Sequence, residues 1–581
     1  MCGIAGIFFN KINKGLKKKV YQMGNLLDHR GPDDSGLFEN SKLIMIHKRL
    51  SIIDVIGGKQ PIENSELVLI ANGEIYNDLE IRNNNKDFIF KTGSDCESIL
   101  CVYKKFGING FKKLRGMFAF AIYDKKQKEL ILGRDEFGIK PLYFSLKNNN
   151  FIFSSEIQSM IRSNLVSKKI CEKKKRELLQ IQFCSGRETI FEDVYRLRTG
   201  EVMVVKDSKI RKSYILNKLQ SINTNCLKEK DFEILLKKSV YLHQRSDVPY
   251  GIFFSGGIDS TLVLYLMSKI NEKKINSYCV IFPKQKEKRQ YLSRIAKNFN
   301  SEINFVEFEE NDFWKLLPKV AKSLDDPIID YASVPTFKLA QEARKDVKVI
   351  LTGEGGDELF GGYGRYRTGL RRYLFKKEFL KRGEFDKLKG FSKFLYNWDY
   401  SIKSKKEKLK NLDLTELQKS QYFDFQEWLP NDLLIKLDRC LMANGLEGRT
   451  PLIDKELFRN FFKIKDDLKI KEGKGKYFIR KLLNKNIPFY DAFEKKEGFT
   501  VPLNLWIPKR CKFLSQTLPK LTCLKEIFPS DKIEDLCKSL ENNSKAIIPV
   551  WRMIFYSLWF SFNFENKKIE GDTFEILNDI I

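Results

Sequence analysis

The chain has only three histidines in 581 residues: His29, His47 and His243. That leaves little material for a histidine-built metal centre. Eleven cysteines do not make up the deficit, because no two form a Cys-x-x-Cys pair. Zinc-ribbon chemistry is excluded, and a disulfide framework is not expected in a chain this long. Long apolar runs are missing too. The nearest approach, Ala546–Phe562, is interrupted by Arg552 and reads as a buried core helix rather than a membrane span. The amino terminus lacks a basic segment followed by an apolar stretch and a small-residue cleavage site. No signal peptide is expected, and the expected location is cytoplasmic.

Acidic residues are in the minority, 75 against 104 basic ones, for a net charge of +29. Such a charge attracts nucleic acid without specifying a function. Here lysine is spread along the whole chain. The densest basic run, Lys168–Arg176, contains no aromatic residue on which a base would stack. Solvated lysine-rich faces account for the charge, and neither a nucleic-acid nor a membrane partner is expected.

What is present suits two or three cores: 42% of residues are hydrophobic and 13% aromatic. Residues 2–205 read as short strands separated by turns: Cys2–Phe9, Leu43–Ile53, Leu67–Ala71, Phe118–Tyr123, Glu129–Gly133, Phe151–Ser154 and Glu201–Val205. Helical spacing occurs at Gly15–Asp28 and Cys96–Phe106. The pattern predicts an α+β layered domain. Residues 206–230 are polar and broken and read as a linker. From 231 onward strands alternate with helices, beginning with helix Asp231–Gln244 and strand Tyr250–Phe254, which predicts a parallel α/β sheet. Residues 365–425 are charged, aromatic and helical, without a readable motif.

Two loops of the second part carry chemistry. Ser255-Gly256-Gly257-Ile258-Asp259-Ser260 follows a strand and opens the helix Thr261–Ile270. Glycines there let backbone N–H groups approach phosphate oxygens, and the two serines add hydroxyl donors. Asp259 would repel phosphate unless Mg²⁺ bridges them. The loop lacks the GxxxxGK[ST] order of the kinase-type phosphate loop, and a bare Ser-Gly-Gly also occurs in ordinary strand–helix turns. A second turn, Thr352-Gly353-Glu354-Gly355-Gly356-Asp357-Glu358, follows strand Val347–Leu351. Its carboxylates suit Mg²⁺ and the handling of a substrate amine or ammonia.

Cys2 follows Met1, and a small second residue permits removal of the initiator methionine. Cys2 would then carry a thiol beside an α-amine titrating near about 7.7–8.0, a base for its own nucleophile. Asn72-Gly73-Glu74-Ile75-Tyr76-Asn77 follows strand Leu67–Ala71. The Asn72 amide and the Gly73 backbone N–H suit an oxyanion hole. Arg49 can fork a substrate α-carboxylate, and Glu74 and Asp95 can receive an α-ammonium. These are the groups needed to hold glutamine and attack its side-chain amide. His29 and His47 read as structural.

Cys2-Gly3-Ile4-Ala5-Gly6, His29-Arg30-Gly31-Pro32-Asp33, Arg49-Leu50-Ser51, Asn72–Asn77, Gly93-Ser94-Asp95 and Arg134–Tyr143 occur in that order. With them the chain resembles the glutamine-dependent asparagine synthetases over nearly its full length. The resemblance implies a four-layer αββα N-terminal-nucleophile glutaminase domain at 1–205, the linker at 206–230, and an ATP-pyrophosphatase domain with helical C-terminal additions at 231–581. It implies Cys2 as nucleophile, Asn72 and Gly73 as oxyanion hole, and Arg49, Glu74 and Asp95 as glutamine binders. It implies ATP held by Phe254, Ser255, Gly256, Gly257, Asp259, Ser260, Val280, Thr352 and Gly353, with Mg²⁺ on Asp259 and Asp357. Glu354 would sit at an acyl-adenylate site, and Lys496 would neutralise pyrophosphate. Leu437-Asp438-Arg439 through Pro451, and Trp551–Trp559, match further signature stretches. The implied reaction sends ammonia from Cys2 to an activated carboxylate, giving an amide, AMP and pyrophosphate; a homodimer is the assembly the family favours. Gly448 and Thr450 depart from the usual alanine and valine, and Lys288-Arg289-Gln290 stands where an acidic residue is frequent. These departures leave the acceptor open between aspartate and a sugar uronate or cell-envelope carboxylate.

Overall fold

A computed structural model describes residues 2–147, 149–216, 229–283, 285–366, 383–494 and 500–581. In the first part the strands are β1 Gly3–Phe8, β2 Asp34–Glu39, β3 Leu43–Arg49, β4 Ile62–Glu63, β5 Leu67–Ile75, β6 Gly116–Asp124 and β7 Glu129–Arg134. They continue with β8 Tyr143–Lys147, β9 Asn150–Ser154, β10 Tyr195–Arg196, β11 Glu201–Lys206 and β12 Lys209–Ile215. They form two six-stranded sheets, ordered β10-β8-β9-β1-β3-β2 and β12-β11-β7-β6-β5-β4. Every pairing in both is antiparallel.

The layering follows from strand alternation. Side chains at successive positions face opposite sides of a sheet, so a strand covered on both faces must be apolar throughout. In β1, Ile4 and Phe8 face the second sheet, while Ala5 and Ile7 face a helical layer. In β5, Val68 and Ile70 face the first sheet, while Leu67, Leu69 and Ala71 meet the helix Glu97–Phe106. The helix Lys14–Asn25 covers the other outer face with Val20 and Met23. The result is the expected αββα stack.

Two local readings change. β5 does not stop at Ala71 but continues through Asn72, Gly73 and Glu74 to Ile75, paired residue by residue with β6. Nor is 206–230 wholly a connection. Lys209–Ile215 is a strand paired along β11, with mostly exposed side chains. An edge strand open to solvent on its side chains can be polar and still satisfy its backbone through the ladder, and that polarity is what disguised it.

The second part contains β13 Tyr250–Phe253, β14 Ile275–Ile281, β15 Ser301–Glu307, β16 Val349–Leu351 and β17 Glu447–Arg449. They form one sheet in the order β15-β14-β13-β16-β17, with all four pairings parallel. Helices follow the strands, and a helical region completes the chain. The apolar tail forms the helix Ile547–Trp559, buried along nearly all its length. Trp551 and Trp559 donate their indole N–H groups to the carbonyls of Ile329 (3.1 Å) and Leu324 (2.9 Å). Arg552, the charge that broke the apolar run, is also buried and donates to the Leu179 carbonyl at 2.6 Å. No described helix is long and apolar enough to cross a membrane.

Candidate active site

Cys2 lies at the start of β1, against the end of β5. Its backbone nitrogen donates to Asn72 Oδ1 at 3.0 Å. Asn72 is completely buried, and among the described residues its Nδ2 has no hydrogen-bond partner. A buried amide donor left unsatisfied costs free energy unless something else accepts from it. Burial pushes the Cys2 thiol up, opposed in part by the Leu50 amide and by Arg49. Gly73 comes next, with φ +156°; a Cβ there would stand 2.1 Å from the Met117 carbonyl oxygen and 2.6 Å from Phe118 Cα. The close β5–β6 approach therefore requires glycine.

Arg49 is buried, and its guanidinium donates to the carbonyls of Ile53 (3.2 Å), Asp54 (2.6 Å) and Val55 (3.0 Å). These bonds fix its plane and use three of a guanidinium's five donors. Glu74 and Asp95 are both buried. Asp95 accepts from the Ile75 N–H at 2.5 Å, yet burial still pushes its carboxyl up to about 6. Burial, then the neighbouring Asp95, holds Glu74 well above the usual carboxylate range. Two such carboxylates stabilise a cation placed between them. No described histidine is hydrogen-bonded to Cys2. His47 is buried against the Ala71 carbonyl at 3.1 Å and pushed down to about 3; His29 pairs with Glu156 at 3.0 Å.

The second site is built on β13. Its end leads through residues 254–257 into the helix Ile258–Ser268. Gly256 has φ +75°, and a Cβ there would meet Leu292 Cδ2 at 2.3 Å. Ser255 Oγ and Ser260 Oγ lie 3.1 Å apart and tie the loop to the first helical turn. Phe254 is in the core, and its N–H donates to the Tyr278 carbonyl at 2.9 Å. Val280 is buried on the adjacent strand β14. Thr352 and Gly353 leave the end of β16, and a Gly353 Cβ would come within 2.8 Å of Asp259 Cβ, so the two loops touch. Lys476 bridges them: its Nζ pairs with Asp259 and, at 2.7 Å, with Asp357. Among the described residues no cluster of three metal-ligating side chains exists. Mg²⁺ held largely by phosphate oxygens needs only one or two carboxylates, and Asp259 Oδ1 is buried without a hydrogen-bond partner among the described residues, so this donor set fits. Glu354 faces Lys436 at 3.9 Å, and Lys436 pairs with Asp330 at 3.0 Å.

Residues 231–561 match the family profile described as asparagine synthase, and residues 1–215 match that of the glutamine amidotransferase domain. The chain belongs to the asparagine synthase family. It is 31% identical to asparagine synthetase [glutamine-hydrolyzing] 1 of Bacillus subtilis, over 98% of each chain. It is also 31% identical to asparagine synthetase B [glutamine-hydrolyzing] of Escherichia coli, over 62% of this chain and 65% of that one. As a member of this family it is a glutamine-dependent, amide-forming ligase that uses ATP.

Within this asparagine synthase fold Cys2, Arg49, Asn72, Gly73, Glu74 and Asp95 gather at one end of β1, β3 and β5. Ser255–Ser260, Thr352, Gly353, Glu354 and Asp357 gather at the carboxyl ends of β13 and β16. Lys496 lies outside the described residues. Residue-type reasoning passed over Lys476, Lys436 and Arg30. Each had a signal. Lys476 follows two glycines in Gly473-Lys474-Gly475-Lys476, and Lys436 with Asp438 and Arg439 interrupts an otherwise apolar helix, Leu434–Met442. Arg30 is completely buried; it donates to the Cys2 carbonyl at 3.2 Å and to Glu156 at 2.8 Å.

Proposed function

We propose that this ligase transfers the amide nitrogen of glutamine to the side-chain carboxylate of aspartate, with ATP activating that carboxylate. The observation that carries the glutaminase half is Asn72, whose Oδ1 accepts from the Cys2 nitrogen while its buried Nδ2 has no partner among the described residues and can donate to a substrate. With Met1 removed, the α-amine takes the thiol proton, and Cys2 Sγ attacks the glutamine side-chain carbonyl. Asn72 Nδ2 and the Gly73 N–H stabilise the oxyanion, Arg49 orients the α-carboxylate, and Glu74 and Asp95 receive the α-ammonium. Ammonia leaves, and water releases glutamate from the thioester.

In the synthetase half the Ser255–Ser260 loop binds the phosphates of ATP. Asp259 and Asp357 would hold Mg²⁺, which supplies charge neutralisation on those phosphates. The aspartate carboxylate attacks the α-phosphorus, pyrophosphate leaves, and the acyl-adenylate forms beside Glu354. Ammonia then displaces AMP. Lys476, pinned between the two loops, is placed to offset phosphate charge; Lys496 serves the same end in this scheme. Residues 1–205 and 231–581 act as the two catalytic units.

Cys2→Ala tests the scheme: glutamine-dependent synthesis is lost while synthesis from added ammonium persists. Loss of both would overturn the two-site reading. An acceptor panel read by AMP formation, with ammonium as nitrogen donor, tests aspartate. AMP formed only with another carboxylate would reject it.

A further inference from the structure

Arg449 belongs to β17 of the parallel sheet, yet its side chain ends beside a carboxylate of the other half of the molecule. Nη2 lies 3.2 Å from Glu74 Oε1, an ion pair without hydrogen-bond geometry among the described residues. The other two nitrogens are held by groups of the synthetase half: Nε donates to Glu447 Oε1 at 2.7 Å, and Nη1 to the carbonyls of His243 (2.9 Å) and Arg245 (2.6 Å). The side chain is fully buried, and so nearly is that of Glu74. A planar guanidinium gripped on two sides has one orientation, and its third side lies against Glu74.

The backbone of the same residue faces the other way. The Arg449 carbonyl accepts from the Thr352 N–H at 2.9 Å, where β16 runs into the loop carrying Glu354 and Asp357. One residue thus touches the glutaminase pocket with its side chain and the root of the acidic loop with its main chain.

We propose that Arg449 is a positioning residue of the glutamine site, supplied by the synthetase half, and that its guanidinium sets the Glu74 carboxylate for the substrate α-ammonium. This rests on the glutamine reading of the Cys2 pocket. The charges around Glu74 support it. Asp95 and Glu447 both oppose a negative charge there, and Arg449 is the largest influence in its favour. The glutamine pocket is therefore finished by the docking of the two halves, and the contact at Thr352 gives the acidic loop a route to it.

The test is steady-state glutamine hydrolysis by the full chain. Arg449→Lys keeps a charge but cannot span Glu447, the two carbonyls and Glu74 together. Arg449→Met combined with Glu447→Gln removes the guanidinium and the charge it offsets in its own strand. Losing a charge-assisted contact should raise the glutamine KM on the order of tenfold, with kcat nearly constant. Ammonium-dependent AMP formation should stay within about twofold of the parent. In a Glu74→Gln background, Arg449→Lys should add nothing further to KM, whereas a general packing defect would add its full effect again. An unchanged KM in folded Arg449→Lys, or a full additional effect in Glu74→Gln, overturns the inference. If the double variant fails to fold, Arg449→Lys and its cycle with Glu74→Gln decide the matter. A parent that does not hydrolyse glutamine overturns the glutamine reading itself, and this inference with it.

Discussion

Arg30 forks Asp438 across the seam between the two halves, Nη1 to Oδ2 at 2.8 Å and Nη2 to Oδ1 at 3.0 Å. Both side chains are buried, and Arg30 also donates to the Cys2 carbonyl. Burial alone would raise the Asp438 carboxyl, but Arg30 and then Arg439 hold it below the usual range. Arg439 extends the network to Asp325 at 2.7 Å and to the Ser155 carbonyl at 3.2 Å. The Cys2 backbone is thereby tied to the helix Leu434–Met442 of the synthetase half.

Removing one partner of that pair should be costly. Asp438→Ala leaves the Arg30 charge buried with Glu156 as its remaining counter-ion. A loss of about 3–5 kcal/mol is expected from breaking a buried pair on one side. Chemical denaturation of parent and variant checks it. A loss under about 1 kcal/mol would mean the pair behaves like an exposed one.

Asn72→Asp separates the two jobs of that side chain. An oxygen remains to accept from the Cys2 nitrogen, but the Nδ2 donor is gone. Glutamine hydrolysis should fall about 10²–10³-fold in kcat with a much smaller change in KM. Ammonium-dependent synthesis should not change. A kcat within a few-fold of the parent would remove Asn72 from the oxyanion role.

Asp95 gives the glutaminase a pH dependence of stated sign. Its carboxyl sits at about 6 in the folded chain, above the unfolded value of about 3.9. The native form therefore holds its proton more tightly. The stability this confers is full below the unfolded value and is lost as pH rises through about 6. In the proposed role of Asp95 glutamine binding runs the other way, because an α-ammonium held there needs the carboxylate. The glutamine KM should rise as pH falls through about 6, and Asp95→Asn should flatten that profile. A parent profile flat from pH 5 to 7, tested on the order of one unit either side, would contradict the role.

Asp259→Asn should stop pyrophosphate release while glutamine hydrolysis continues. Lys476→Met should do the same with an added structural cost, because Asp259 and Asp357 then share a partly buried corner without their common cation. Pyrophosphate assay and thermal unfolding read the two effects separately. Equal loss of hydrolysis and pyrophosphate release in Asp259→Asn would argue against independent sites.

Much of the architecture was legible because the signals were local. The apolar runs Cys2–Phe9 and Leu67–Ala71 predict strands, and the four-layer stacking is implied by the family resemblance. The glycines at 256 and 257 mark the turn between a strand and a helix. Polar Lys209–Ile215 was misread as linker because its strand is stabilised by backbone pairing, which leaves no side-chain pattern. The strand read as Leu67–Ala71 runs on through Asn72–Glu74, whose polar and glycine residue types give no strand pattern while the ladder with β6 holds them extended.

By itself the sequence determined that a glutamine amidotransferase half precedes an asparagine synthase half, and it singled out Cys2 and the Ser255–Ser260 turn as candidates for nucleophile and phosphate loop, since each signal depends on residues adjacent in the chain. Only the tertiary structure decided how the halves join. Arg30 meets Asp438 and Arg449 meets Glu74 across the seam, as Lys476 meets Asp259 within the second half, through contacts between residues hundreds of positions apart. A charge buried at such distance leaves no periodicity to read. It is stable only because the fold delivers its counter-charge, and that pairing exists only once both elements are in place.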